Sequence, residues 1–524
     1  MLAVVPSATL HGLDGRLIRV EVDVAPGLPG FTIVGLADTA VQEARERVRG
    51  AIRNAGFVFP PRRITVNLAP AELRKTGASL DLAMALGILL GSEQVRADRG
   101  SVALIGELGL GGEVRPVPGI LPMVAAVARQ RVRRFIVADA AVEEARLVDG
   151  VEVVGAATLA EAAIAVRGRR SRRALVAMPR VTISGPAPTA ETLRGQPPIV
   201  VAPTISDLAE VRGQLEARRA LEIALTGGHG MLMSGPPGVG KTLLARTIPG
   251  LLPPLDDAAA LSVSIVASAA GEGPIRELRR RPPFRSPHHT LSYAAMVGGG
   301  PNLMPGEITR ANEGILFLDE LAEFDRDVLE ALRQPLEEGR VVIARAGRTM
   351  TFPSRFQLIA AMNPCPCGFA GSLPEGRCRC TPRDVERYGR RVSGPLRDRI
   401  DLWVTMPRMS ASAIVATRDP ESSSEVAARI AAGRARAALD RGVLNGRLRG
   451  RTLRRACRLS ASAAARVVVL AEDELASGRG TERLLRVART IADLDGSMAV
   501  EPAHLDEAAW YRSPATRAVE ALAS

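Results

Sequence analysis

Gly235-Pro236-Pro237-Gly238-Val239-Gly240-Lys241-Thr242 is a G-x-x-x-x-G-K-[ST] phosphate loop, and its flanks are those such a loop needs. Met231-Leu232-Met233 reads as a short buried strand before it, and Leu243-Leu244-Ala245 opens a helix after it. The glycines let successive N–H groups turn inward around a β-phosphate at the positive end of that helix. The Lys241 ammonium then reaches the β and γ oxygens, and the Thr242 hydroxyl helps hold Mg²⁺. Lys241 is one of two lysines among 69 basic residues, so a chain that otherwise writes positive charge as arginine keeps lysine here. The ligand implied is a nucleoside triphosphate with Mg²⁺.

Working outward, Ile315-Leu316-Phe317-Leu318 is a fully apolar strand that delivers Asp319 and Glu320 at its carboxyl end, 78 positions after Lys241. Asp319 is placed to hold Mg²⁺, directly or through water, and Glu320 to polarise the attacking water. A third strand, Leu358 to Met362, ends in Asn363, an amide able to orient water beside the γ-phosphate. Further on, Gly394-Pro395-Leu396-Arg397-Asp398-Arg399 offers an arginine for a neighbouring subunit's site; Arg399 is the choice and Arg397 the competitor.

Between residues 205 and 405 strands alternate with helical patterns, which predicts a parallel α/β sheet. Ser206 reads as the N-cap of a helix through Leu221, with Leu208, Val211 and Leu215 on one face. Residues 1–166 mix β-like and alanine-rich segments, 167–204 are an arginine- and proline-rich linker, and 406–524 are helical. At 524 residues, two to four domains are expected. The net charge of +13 fits a polyanionic partner, while 3% aromatics argue against gripping single strands by stacking. The first residues lack a secretory pattern, and the longest apolar run, Leu82 to Leu90, is too short to span a bilayer. A cytoplasmic protein is therefore expected, with no membrane partner and no disulfides.

Two C-x-C pairs, Cys365/Cys367 and Cys378/Cys380, are separated by ten residues rich in glycine and proline. In a reducing compartment such pairs can form a tetrahedral S₄ site for structural Zn²⁺. Cys457, alone, reads as a packed residue. His288 and His289 read as loop or DNA-contacting residues. Arginine concentrates at 167–173, 276–285 and 434–458, the last with nine arginines and one acid, a density that should leave charge for phosphates.

Several long blocks carry a resemblance: Asp207 to Gln214, the phosphate loop, Phe284-Arg285-Ser286-Pro287-His288-His289-Thr290, Gly314 to Glu320, and Ala361 to Gly368. Over essentially its whole length the chain resembles the YifB/ComM family of magnesium-chelatase-like AAA+ proteins. The resemblance implies a multidomain α/β fold: a Lon-protease-like α+β domain (1–166), an AAA+ domain (205–405) and a helical lid (406–524). It implies a hexameric, ring-forming ATPase that moves along branched or duplex DNA without reading sequence, acting in recombination. It also implies an insertion within 262–300, and a pore-facing hairpin near Gly339 to Phe352 carrying Arg340, Arg345 and Arg348. Asn363 takes the sensor 1 role and Arg479 the sensor 2 role, with Arg483 and Arg486 as alternatives. The other motor the resemblance admits drives metal insertion or remodels a protein partner. A protease is disfavoured. Ser79 falls on the Lon nucleophile motif, but Leu121 stands where the lysine base belongs, so Ser79 reads as the N-cap of a Leu80–Leu90 helix.

Overall fold

The computed structural model describes the chain apart from residues 37, 74, 76, 98–100, 168–204, 301–302, 346–347, 372–376, 410–420, 475–477 and 513–524. Nearly all of the 167–204 linker, with four of the five arginines clustered at 167–173, therefore lies outside the described residues.

The chain divides into two compact units. The first comprises Met1–Val200 together with Ala260–Arg279 and Gly299–Pro305. Its four-stranded sheet runs in the order Leu2–His11, Asp14–Ala25, Arg63–Ala69, Gly30–Val34, antiparallel except for the last pair. A second sheet holds Val102–Ile105, Arg134–Ala138 and Glu152–Ala156, all parallel. Alternation drives the pairing: Ile18, Val20, Val22 and Val24 point into the core while their neighbours face out. The helix Asp81–Gly91 is buried all round, as its unbroken apolar run requires.

Residues 260–279, expected inside the ATPase segment, cluster with this first unit. Buried Glu144 accepts from Leu121 N (3.1 Å), Ser268 Oγ (2.5 Å) and Ile275 N (3.4 Å), and Gly119 N donates to Ser268 O at 2.9 Å. A buried carboxylate needs such donors, and here they come largely from the inserted segment.

The helix expected to be capped by Ser79 starts at Asp81 with Leu80 at its cap and no side-chain capping bond. Ser79 Oγ donates instead to Ala8 O at 2.9 Å, because the serine is buried against the first strand. Leu121 is fully buried, and Lys75 Nζ is bound to Pro70 O, its pKa lowered by burial.

The second unit comprises Val201–Ala259, Arg280–Gly298 and Gly306–Ser524. Its sheet has five parallel strands in the order Phe284–Arg285, Ile315–Leu318, Gln357–Met362, Met231–Ser234, Leu402–Thr405. The strand before the phosphate loop is thus interior, so the loop emerges from the middle of the sheet's carboxyl edge. Helices Ser423–Arg441, Gly450–Cys457, Ala461–Glu474, Gly478–Leu494 and Pro502–Trp510 follow. One apolar core joins them to the sheet, with Met231 and Phe317 clustered with Ile430, Leu484 and Leu505.

The predicted helix from Ser206 to Leu221 is not formed as one piece. Asp207 accepts from Ala209 N and caps a 3₁₀ turn, Leu208–Glu210; a helix then runs Leu215–Gly227 from Gln214, whose φ is +52°. Leu215 is 77% exposed, so the apolar spacing that suggested one face joined two separate elements.

Among the described residues, no helix is long and apolar enough to cross a membrane.

Candidate functional site

The phosphate loop obeys its sequence. Gly238 and Gly240 have φ of +79° and +95°, a region that costs any Cβ-bearing residue, and the turn they make leads into the helix Lys241–Leu251. Lys241 Nζ donates to Gly235 O (2.5 Å), Pro236 O (3.0 Å) and Asn363 Oδ1 (3.1 Å). Burial lowers the Lys241 pKa, opposed by the charges of Asp319 and Glu320. Thr242 Oγ1 donates to Asp319 Oδ2 at 2.6 Å, and Asp319 Oδ1 accepts from Glu320 N at 2.9 Å. Three neighbouring strand ends therefore bring together Lys241, Thr242, Asp319, Glu320 and Asn363.

These residues fit Mg²⁺ and a triphosphate: a hard hydroxyl–carboxylate pair already in contact, an ammonium beside it, and a glycine turn leading into a helix N-terminus. Glu320 itself sits at φ +53°, heading the short turn Leu321–Glu323. Its carboxylate lies 3.1 Å from His289 Nδ1. That partner was invisible in sequence; the one available signal was that His288-His289 follow the strand neighbouring the one that ends in Asp319.

Arg399 and Arg479 line another part of the unit. Both border a cleft shared with Arg483, Arg486, Glu337 and Asp398, and none of residues 235–242 lines it. Arg399 Nη2 pairs with Glu337 at 2.5 Å. Its competitor Arg397 turns inward, donating from Nε to Val392 O (3.0 Å), binding Gly389 O, and lying 5.9 Å over the Trp403 ring. Arg479 is exposed in the first turn of the Gly478–Leu494 helix, while Arg483 donates to Asp398 O (3.0 Å) and Arg486 pairs with Asp401 (3.1 Å). The Asp401 side chain is largely buried: burial raises its pKa, but the Arg486 charge and the His229 hydrogen bond outweigh that and hold it at about 2.

The four cysteines converge. Their sulfurs lie within 4.8 Å of one another, with Cys365–Cys367 at 3.3 Å, Cys367–Cys378 at 3.6 Å and Cys365–Cys378 at 3.8 Å. A Zn–S bond of about 2.3 Å gives a tetrahedral S–S edge of about 3.8 Å, so the set fits Zn²⁺. The N–H groups of Phe369 and Arg379 draw the Cys367 thiol down to about 6, the thiolate character a metal ligand needs. Cys380 also receives an N–H, from Cys367, but its proton shared with Cys367 Sγ and its burial push it up to about 12. The loop touches the nucleotide side: Gly368 has φ +83°, and a Cβ there would meet Pro237 Cδ at 2.8 Å.

The predicted hairpin forms, Arg340–Arg345 pairing antiparallel with Arg348–Pro353. Arg340 Nε pairs with Glu338 at 3.0 Å; Arg345 and Arg348 face each other at its end, and their side chains lie outside the described residues. Two arginine clusters are less free than their density implied. Arg276, Arg279, Arg280 and Arg285 pair with Glu143, Glu272, Asp257 and Glu307. Arg434 and Arg436 are bound by Leu225 O and Asp493 O, and Arg441 by the Asp493 carboxylate, because the helix carrying them packs against the Gly478–Leu494 helix. Arg449, Arg451, Arg454, Arg455 and Arg458 remain exposed.

Residues 207–414 match the family described as magnesium chelatase, subunit ChlI; residues 20–141 match subunit ChlI of Mg-chelatase, and 420–512 its C-terminal part. The chain is 40% identical to the protein YifB of Escherichia coli K12 over 98% of its own length and 97% of that protein's. It is 39% identical to the competence protein ComM of Haemophilus influenzae, again covering 98% and 97%. The magnesium-chelatase 67 kDa subunit of Heliobacterium mobile is 27% identical over 32% of this chain and 29% of that one. With three matching families in register and full-length relatives near 40% identity, the chain belongs to the YifB/ComM family of magnesium-chelatase-like proteins.

Proposed function

We propose that the protein is an ATP-hydrolysing motor that assembles into a ring and translocates on branched or duplex DNA.

 Lys241, Thr242, Asp319, Glu320 and Asn363 belong to one protomer's site, with Arg399 and Arg479 entering the next protomer's. The observation that carries this reading is the separation of the two arginines, together in one cleft, from the phosphate loop of the same unit. Arginines so placed act on a nucleotide only when a second copy presents one.

In the reaction, Glu320 takes a proton from water as its oxygen attacks the γ-phosphorus, and the bond to the β–γ bridging oxygen breaks, leaving ADP and phosphate. Lys241, with Arg399 and Arg479 of the neighbour, balances charge on the transferring phosphoryl group, and Asn363 orients the water. When bound, Mg²⁺ would be held by Thr242 and Asp319 and would supply Lewis-acid neutralisation of the phosphate oxygens. Zn²⁺ would be held by Cys365, Cys367, Cys378 and Cys380 and would crosslink the loop after Asn363.

The DNA part of the reading rests on the hairpin bearing Arg340, Arg345 and Arg348, on the exposed arginines of residues 449–458, and on the full-length likeness to the competence protein ComM. No base-reading motif accompanies them, so contacts are with backbone and shape. A metal-insertion motor is the second reading, favoured by the chelatase family matches. The test is ATPase activity titrated with single-stranded, duplex and four-way-junction DNA at two salt concentrations, with Lys241→Ala as the inactive control. Stimulation by DNA that weakens with salt supports the motor; hydrolysis indifferent to every DNA refutes it. Junction migration by Lys241→Ala at the wild-type rate would refute the ATP coupling.

A further inference from the structure

His229 is buried at the foot of Met231–Ser234, the strand that ends in the phosphate loop, and nothing in the reaction above uses it. Its imidazole bridges two other elements. Nδ1 lies 2.9 Å from Asp401 Oδ2, and Nε2 lies 2.7 Å from Thr490 Oγ1. A carboxylate only accepts, so Nδ1 carries a hydrogen and the second nitrogen is left for the hydroxyl. The space is built for this bridge: a Cβ on Gly227 would lie 2.2 Å from Nε2 and 2.5 Å from Thr490 Oγ1.

Both partners belong to the pieces that carry the two arginines of the cleft. Asp401 stands two positions after Arg399. Its N–H and that of Leu402 donate to Gly230 O at 3.0 Å, and a Cβ on Gly230 would meet Arg399 O at 3.1 Å, so this segment rests directly on the foot of the strand. Thr490 lies on the helix Gly478–Leu494, which has Arg479 in its first turn. Positions 479, 483, 486 and 490 fall in one stripe of that helix by their spacing. Within the stripe, Arg483 donates to Asp398 O and Arg486 to Asp401, on either side of Arg399. The pieces bearing Arg399 and Arg479 are thus fastened to each other, and His229 fastens both to the strand under the phosphate loop. A buried polar network of this kind holds one arrangement, because another would leave groups unpaired away from water.

We propose that His229 is a positioning residue acting in trans: it sets the reach of Arg399 and Arg479, so its loss is felt in the neighbouring protomer's site and not in its own. The proposal rests on the shared-site reading above.

The experiment is steady-state hydrolysis by full-length His229→Ala, His229→Asn and Thr490→Val, each alone and mixed with Lys241→Ala, with affinity for a fluorescent ATP analogue measured in parallel. A slight misplacement of arginines worth a thousandfold or more should lower kcat about 10- to 100-fold in His229→Ala, with analogue affinity within about twofold of wild type. His229→Asn, which keeps an N–H for Asp401, should lose less, about threefold, and Thr490→Val, which keeps the volume should the alanine variant not fold, about three- to tenfold. Lys241→Ala subunits have a dead loop but sound arginines, so mixing should restore activity to the His229→Ala sites. With equal amounts and random assembly, about one interface in four joins a sound loop to a sound donor, giving about a quarter of the wild-type rate. Arg399→Ala mixed with Lys241→Ala is the control and should recover likewise. An unchanged kcat in His229→Ala and Thr490→Val, or a loss that mixing does not relieve while the Arg399→Ala mixture recovers, overturns the proposal alone. If neither mixture recovers, the placement of the arginines in a neighbour's site is refuted, and this proposal with it.

Discussion

Asp401→Asn should destabilise the second unit by an amount the structure lets one work out. Asp401 ends the arginine-bearing segment and begins the strand Leu402–Thr405; it accepts from His229 Nδ1 at 2.9 Å and from Arg486 at 3.1 Å, all three side chains being largely buried. Its pKa falls from 3.8 to about 2, because Arg486 and His229 outweigh the burial that alone would raise it. At 1.36 kcal/mol per unit, that difference is worth about 2 kcal/mol to the charged form. The amide also leaves Arg486 without its counter-ion, which raises the cost to about 3 kcal/mol. At roughly 2–4 °C per kcal/mol, the melting temperature should drop by about 6–12 °C.

The pH dependence has a definite sign. A depressed folded pKa gives stability that is present above the unfolded value of about 3.9 and is lost as pH falls toward 2. Thermal unfolding followed by circular dichroism should therefore show a constant gap between wild type and Asp401→Asn from pH 7 to pH 5. The gap should narrow below pH 4. A variant that melts with wild type at pH 7, or a gap that widens as acid is added, would refute the reasoning.

Cys378→Ser should lower bound zinc, measured by mass spectrometry of the metal, from about one per chain to a small fraction, and metal removal from wild type should lower its melting temperature. Gly368→Ala forces a Cβ into a φ of +83° and against Pro237, so it should cost at least about 1 kcal/mol and weaken nucleotide binding measured by calorimetry. Replacing Arg451, Arg454 and Arg455, all exposed on the Gly450–Cys457 helix, with serine should reduce the slope of log K against log salt for duplex DNA by about 2.7, from three phosphate contacts at about 0.9 each.

The sequence disclosed what is local. A phosphate loop dictates its own turn through Gly238 and Gly240, and an apolar strand ending in Asp319-Glu320 carries its carboxylates wherever the sheet puts it. Four cysteines in two pairs announced a cluster before any coordinates did. What failed was tertiary. Leu208, Val211 and Leu215 have helical spacing, yet the backbone breaks at Gln214 between them. Ser79 sits where a cap would sit, but the first strand passes close enough to take its hydroxyl. Arginine density overstated free charge, because Asp493, forty or more positions away in sequence, binds Arg441. Sequence could not show that Arg397 is held by Gly389 O and Trp403, or Arg399 by Glu337, because these partners are set by the fold. His289 and Glu320 are 31 positions apart, on loops after neighbouring strands, and pattern alone does not pair them.

The passage of residues 260–279 into the first unit means that sequence order and spatial membership part company. A protein cut anywhere in 167–204 would yield an amino-terminal fragment missing the Ser268 and Ile275 donors of Glu144 and a carboxy-terminal one with Val263, Val266 and Ile275 stripped of their surroundings. Neither half should behave as an autonomous folding piece, and a protease nick in that stretch should leave both fragments travelling together through gel filtration.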